Sequence, residues 1–132
     1  IEKRIDLLKP EIIYTHHHGD LNIDHQIINK AVLTACRPLP LSSIKKILTF
    51  EVPSSTEWQK NVESNVFIPN YFVNIEEELS IKLDALKEYK DEMREWPHPR
   101  SLRHVEISAF YRGSQVGIRA AEAFSLIRCV NK

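Results

Sequence analysis

His16-His17-His18-Gly19-Asp20-Leu21-Asn22-Ile23-Asp24-His25 gathers four of the chain's six histidines and two carboxylates into ten residues. Imidazole and carboxylate are the ligands of zinc and of similar divalent metals. The chemistry this stretch can do is therefore metal-assisted. The plain alternative is a polar turn with solvated histidines, because ligation needs converging geometry that spacing alone does not supply. Spacing does set limits. Asp24 and His25 are neighbours, and on a helical first turn they point about 100° apart. One of them can bind an ion while the other orients an imidazole or sets the local charge. If the preceding strand continues, His16 and His18 face one side and His17 the other.

The elements around the stretch must place it. Glu11-Ile12-Ile13-Tyr14-Thr15-His16 reads as a strand. The histidines then lie at its carboxyl end, where open α/β sheets hold their ligands. A helix opens at Asn22 or Ile23 and runs to about Arg37, with Ile27, Ile28, Ala31, Val32, Ala35 and Cys36 as its apolar stripe. Asn22 is its N-cap and Asp24 sits in its first turn, where the helix dipole favours a negative charge. Pro38 and Pro40 close it.

Before the strand, Ile1 to Leu8 reads as the tail of a helix, with Ile1, Ile5 and Leu8 on one face, ended by Lys9-Pro10. After the central helix, Ile44 to Val52 reads as a second strand, followed by a polar loop from Pro53 to about Asn65. Val66-Phe67-Ile68 and Tyr71-Phe72-Val73 read as extended. Asn74-Ile75-Glu76-Glu77 reads as a capping box for a helix carrying Leu79, Leu83, Leu86 and Met93. Ser101 caps another helix, with Leu102, Val105 and Ala109 inward and Gly113 as its stop. Ala123 to Val130 is the last strand. Strands alternating with helices predict one α/β domain over residues 1–132, with a mainly parallel sheet and flanking helices.

Composition narrows the function classes. The chain has 132 residues, 42% of them hydrophobic, enough for one globular core. Lys+Arg and Asp+Glu are both 18, so no basic excess points to nucleic acid. No apolar run approaches the ~20 residues that span a bilayer. Cys36 and Cys129 form no C-x-x-C pair and no disulfide framework, and their apolar neighbours predict buried free thiols in a reducing cytoplasm.

Beyond the histidine stretch, the chain carries Ala35-Cys36-Arg37-Pro38, then Pro97-His98-Pro99-Arg100-Ser101, Arg112-Gly113 and Ala121-Glu122-Ala123-Phe124. In order and spacing over nearly the whole chain, these runs resemble the PIG-L/LmbE-like family of zinc-dependent de-N-acetylases. The resemblance implies a Rossmann-like domain and removal of acetyl from an N-acetylated amino sugar or glycoconjugate. The cofactor it implies is zinc, although iron, manganese or cobalt suit the same donors.

Carried over residue by residue, the resemblance makes His25 the metal ligand. Asp24 becomes its neighbour in the catalytic group, tuning a histidine or the site's charge. Asn22 stands where many members have a histidine credited with stabilising the oxyanion. That role stays open to His16, His17 or His18, with His18 preferred. The family's A-H-P-D-D motif, source of two ligands and the general base, is absent from these residues. The chain thus reads as an incomplete carboxyl-terminal portion of such an enzyme, expected to be inactive alone.

Other residues carry two readings each. Arg100 can clamp a sugar hydroxyl or phosphate, or form a salt bridge near a helix start. His98, held between two prolines, is rigidly presented to a substrate or simply packed. With Asn22, these are the substrate-contact candidates. Glu122 needs a partner if buried. Trp58 can stack on a sugar or serve as a lid or interface residue. The rival function is a non-catalytic binding or interaction module of the same fold. An uncovered sheet edge at the chain's start would then call for self-association or a partner chain.

Overall fold

A computed structural model describes residues 1–60 and 62–131 of the chain. Its elements run α1 (Glu2–Leu8), β1 (Ile12–His16), α2 (Ile23–Ala35), β2 (Lys46–Phe50), a 3-10 turn (Glu63–Asn65), β3 (Tyr71–Asn74), α3 (Leu79–Lys87), α4 (Leu102–Ser114) and β4 (Ala121–Cys129). The strands form one sheet in the order β1-β2-β4-β3, flanked by helices. The fold is α/β, as the alternation of elements predicts. The sheet is mixed, however. β1 and β2 are parallel, and β4 pairs with β2 antiparallel, with an irregularity between Ile47 and Leu48.

The chain divides into two compact units, residues 1–70 with 124–132, and residues 71–123. In the first unit, α2 makes the crossover that two parallel neighbouring strands require. Its core brings together Cys36, Ile44 and Ile47, with Ile5, Ile13, Val32 and Leu33 packed against them. Leu48 is fully buried in the central strand. α2 begins where its sequence says, with the Asn22 side chain accepting from the Asp24 N–H at 2.9 Å. Its inward face differs from the predicted stripe. Ile27 and Ile28 are exposed, and Asn29 is buried with its Nδ2 donating to the His16 carbonyl at 2.7 Å. That polar tie turns the helix so that Val32, Leu33 and Cys36 meet the core. α1 ends at Lys9, whose φ of 48° is left-handed, and only Ile5 of its apolar face reaches the core. Cys36 is buried as expected, but Cys129 is exposed.

In the second unit, Ile75, Leu79, Ala109 and Ala120 form the core, with Leu83 against it. Asn74 ends β3 instead of capping α3. Its Oδ1 accepts the Glu76 N–H at 3.0 Å, and the helix proper starts only at Leu79. α3 closes at Lys87, short of Met93. α4 keeps its predicted cap, the Ser101 hydroxyl accepting from the His104 N–H at 3.1 Å. Gly113 lies inside α4 instead of stopping it. A Cβ there would meet the Ile118 carbonyl oxygen at 2.5 Å, so the returning backbone, not a helix end, demands glycine. Glu122 finds its partner in Lys82. Among the described residues, no helix is long and apolar enough to cross a membrane.

Candidate functional site

β1 and β2 run parallel with His16 opposite Phe50, so the chain leaves both strands at the same end. One exit is the turn from His17 to Asn22, and the other is the loop after Phe50. The two are tied by backbone bonds, His17 N–H to the Phe50 carbonyl at 3.1 Å and Leu21 N–H to the Ser55 carbonyl at 3.3 Å. This parallel pairing brings together two stretches more than thirty positions apart.

Asp20 is the residue on which they meet, and it is fully buried. Its Oδ1 accepts from the Ser55 hydroxyl and, at 2.8 Å, from the Asn22 N–H. Its Oδ2 accepts from the Thr56 hydroxyl at 2.7 Å. Its backbone carbonyl takes the Gln26 and Gln59 amides at 2.6 and 3.1 Å. A buried carboxylate without donors is driven to its neutral form. Here burial pushes the Asp20 pKa up, and the bonds from Ser55, Thr56 and Asn22, with the neighbouring His25, more than reverse it. The net shift is downward, so the group is a carboxylate at neutral pH.

That carboxylate faces His25, whose Nδ1 lies 3.0 Å from Asp20 Oδ1. An ionised carboxylate only accepts, so Nδ1 donates. The His16 ring stacks on His25, with centroids 4.0 Å apart and planes 20° apart. It also neighbours Phe50, at 4.8 Å between centroids. His16 Nδ1 is buried and has no hydrogen-bond partner among the described residues. Burial and the adjacent His25 push the His16 pKa down, against a smaller opposing pull from Asp20.

The other two histidines of the stretch point to a neighbouring segment. His17 is buried, with Nε2 at 2.9 Å from the Asn65 carbonyl and its ring edge-on to Phe67. Burial lowers its pKa, partly opposed by the Asn65 bond. His18 is exposed, with Nε2 at 2.7 Å from the Ser64 carbonyl. Between them and Asp20, Gly19 has no room for a side chain, since a Cβ would lie 2.4 Å from the Asn65 oxygen. These three residues pin the Glu63–Asn65 turn.

The residues read from the sequence therefore separate. His25 sits at the centre. Asn22 caps α2, and its own N–H supports Asp20. Asp24 is exposed on the first turn of α2. His18 is engaged with Ser64, and of the three consecutive histidines it is His16 that lies against His25. His98 and Arg100 belong to the second unit. There His98 Nδ1 accepts the Arg100 N–H at 3.0 Å, and the Arg100 guanidinium pairs with Glu92. Asp20, Ser55 and Thr56 were not among the predicted site residues. The available signal was a carboxylate in the strand-ending turn, with hydroxyl residues after the next strand of a parallel pair.

The donor set bears on a metal directly. Among the described residues, no three His, Cys, Asp or Glu side chains converge as a metal-binding group. A single ring backed by a buried carboxylate does fit the contribution of one ligand, because metal-bound imidazoles commonly donate their second nitrogen to a carboxylate.

No protein-family model matches the chain. Over 79 residues it is 35% identical to the uncharacterized deacetylase YaiS of Escherichia coli (strain K12), an alignment covering 59% of this chain and 36% of that protein. The conserved protein TT1542 of Thermus thermophilus superposes with a TM-score of 0.67 at 16% identity, over 99% of this chain and 57% of its own. The N,N'-diacetylchitobiose deacetylase of Pyrococcus horikoshii superposes with a TM-score of 0.66 at 16% identity, over 96% and 49%. The chain thus spans 36% of the curated relative's length, and 57% and 49% of the two solved chains. Structure and sequence similarity together give this chain a deacetylase-like α/β fold.

Proposed function

We propose that this chain belongs to a metal-dependent amide hydrolase that removes acetyl from an N-acetylated amino sugar or glycoconjugate, and that His25 is its metal-ligating residue. The observation that carries the reading is the His25–Asp20 pair at 3.0 Å. With Nδ1 committed to a carboxylate, a neutral His25 keeps its lone pair on Nε2, the form that ligates. The similarity to a relative named a deacetylase and the fold shared with a chitobiose deacetylase support amide hydrolysis as the reaction.

Zinc at such a centre would supply Lewis acidity and make a water easier to ionise near neutral pH. The chain's own residues have separate tasks. His25 would hold the ion through Nε2. His16, whose ring stacks on His25, is the histidine we assign to hydrogen-bond the amide carbonyl oxygen as negative charge develops there. It takes this role in preference to His18, whose Nε2 is engaged by Ser64. Asp24 adds negative charge beside the ligand, and Asn22 holds the turn.

The test is acetate release by the full-length protein from N-acetylglucosamine and N,N'-diacetylchitobiose. Release should stop on chelation and return with Zn²⁺, Fe²⁺, Mn²⁺ or Co²⁺, whichever is native. No acetate from any N-acetylated amino sugar under reconstitution with all four would overturn the reaction. Release that survives chelation would overturn the metal.

A further inference from the structure

The loop after β2 makes no chemical contact with a substrate in the reading above, yet it is built around one buried carboxylate of the candidate site. The Thr56 hydroxyl donates to Asp20 Oδ2 and accepts the Val52 N–H at 2.7 Å, so its proton has one direction to point. The Glu57 carboxylate takes the Ser54 and Ser55 N–H groups at 2.5 and 3.3 Å, which holds the turn that presents both hydroxyls. The Ser55 carbonyl is held in its turn by Leu21 N–H at 3.3 Å. Asp20 is thereby locked from the far strand, and in that fixed position it meets His25 Nδ1 at 3.0 Å.

We propose that Asp20 is the positioning residue of the His25 centre, set by Ser55 and Thr56, and that it fixes His25 in the tautomer with hydrogen on Nδ1 and the lone pair on Nε2. The inference rests on His25 being the metal ligand only for its functional consequence. The tautomer itself is a property of the metal-free protein. The geometry predicts an order of effects. Removing the Asp20 charge frees the ring, because an amide can either accept from Nδ1 or donate to it. Removing one hydroxyl loosens the carboxylate while leaving its charge.

The experiment uses full-length ¹⁵N-labelled protein, stripped of metal, at a pH above the ordinary imidazole range near ~6.5. Long-range ¹H–¹⁵N spectra read the tautomer of each histidine, and Zn²⁺ alone is then titrated. His25 is expected as the Nδ1–H tautomer in the wild type. Asp20→Asn should give a mixture of tautomers and weaken Zn²⁺ binding about 10–100-fold, the usual effect of losing such a partner. Thr56→Val, which keeps the buried carboxylate, should shift both readouts the same way by less, and it serves if Asp20→Asn fails to fold. A wild-type His25 with its proton on Nε2, or a tautomer unchanged in both variants, overturns the proposal. A tautomer released by Asp20→Asn with Zn²⁺ binding unchanged upholds the positioning and removes His25 as ligand. Zn²⁺ binding abolished by His25→Ala but untouched, with the tautomer, by Asp20→Asn removes the positioning and keeps the ligand.

Discussion

Thr56→Val removes one hydroxyl at nearly constant volume from a position that is 8% exposed. Two bonds go with it. Asp20 Oδ2 loses its donor at 2.7 Å, and the Val52 N–H loses its acceptor at 2.7 Å. A hydrogen bond to a charged group contributes about 1.5–3 kcal/mol, and an orphaned buried polar group costs about 1–3 kcal/mol. Asp20 keeps Ser55, Asn22 and His25, so its loss falls near the low end, and Val52 can regain part of its bond from water. The sum is about 2–4 kcal/mol of folding stability. Equilibrium urea unfolding reads it as a lower midpoint at an unchanged slope. The same substitution in an Asp20→Asn background should cost about 1 kcal/mol less, because the bond removed there is neutral at both ends. A loss below about 0.5 kcal/mol in the wild-type background, the range of ordinary surface changes, refutes the locked-carboxylate reasoning.

Two further outcomes follow from the geometry. Gly19→Ala puts a methyl 2.4 Å from the Asn65 carbonyl oxygen, and backbone cannot yield as a flexible side chain does. It should cost about 1–3 kcal/mol as overpacking and open the Glu63–Asn65 turn to limited proteolysis, and wild-type resistance to protease would contradict the close approach. Iodoacetamide at neutral pH should alkylate exposed Cys129 in the native protein and reach Cys36 only on unfolding. Burial raises the Cys36 thiol pKa, which lowers its thiolate fraction at any given pH, so equal labelling of the two by mass spectrometry would contradict its burial.

What could be read from the sequence was local. Asn22 before an apolar period marks the start of α2 because a side-chain cap and a 3.6-residue repeat both lie within one helix. Ser101 marks α4 for the same reason. Where a local signal had a tertiary competitor, it failed. Asn74 has the spacing of a capping box, but β3 extends to it and its side chain closes an Asx turn. Gly113 looks like a helix stop, yet the backbone of Ile118 to Ala120 folds back onto it. Val66-Phe67-Ile68 reads as extended and joins no strand. In the candidate site, the histidine-carboxylate stretch and the strand end were legible from residue type and order, and the family resemblance singled out His25 within it. Its oriented partner was not, because Asp20 and His25 are separated by an irregular turn and a cap. The side-chain bonds that help hold Asp20 ionised come from Ser55 and Thr56, beyond the next strand.

The central claim is that His25 Nε2 holds the metal. The most direct measurement is zinc content per chain, by elemental analysis, of full-length wild type and His25→Ala purified in parallel, with circular dichroism confirming that both are folded. The account predicts one zinc per wild-type chain after reconstitution and a folded His25→Ala variant that fails to retain it. A folded His25→Ala protein retaining zinc at the wild-type stoichiometry and affinity would contradict it.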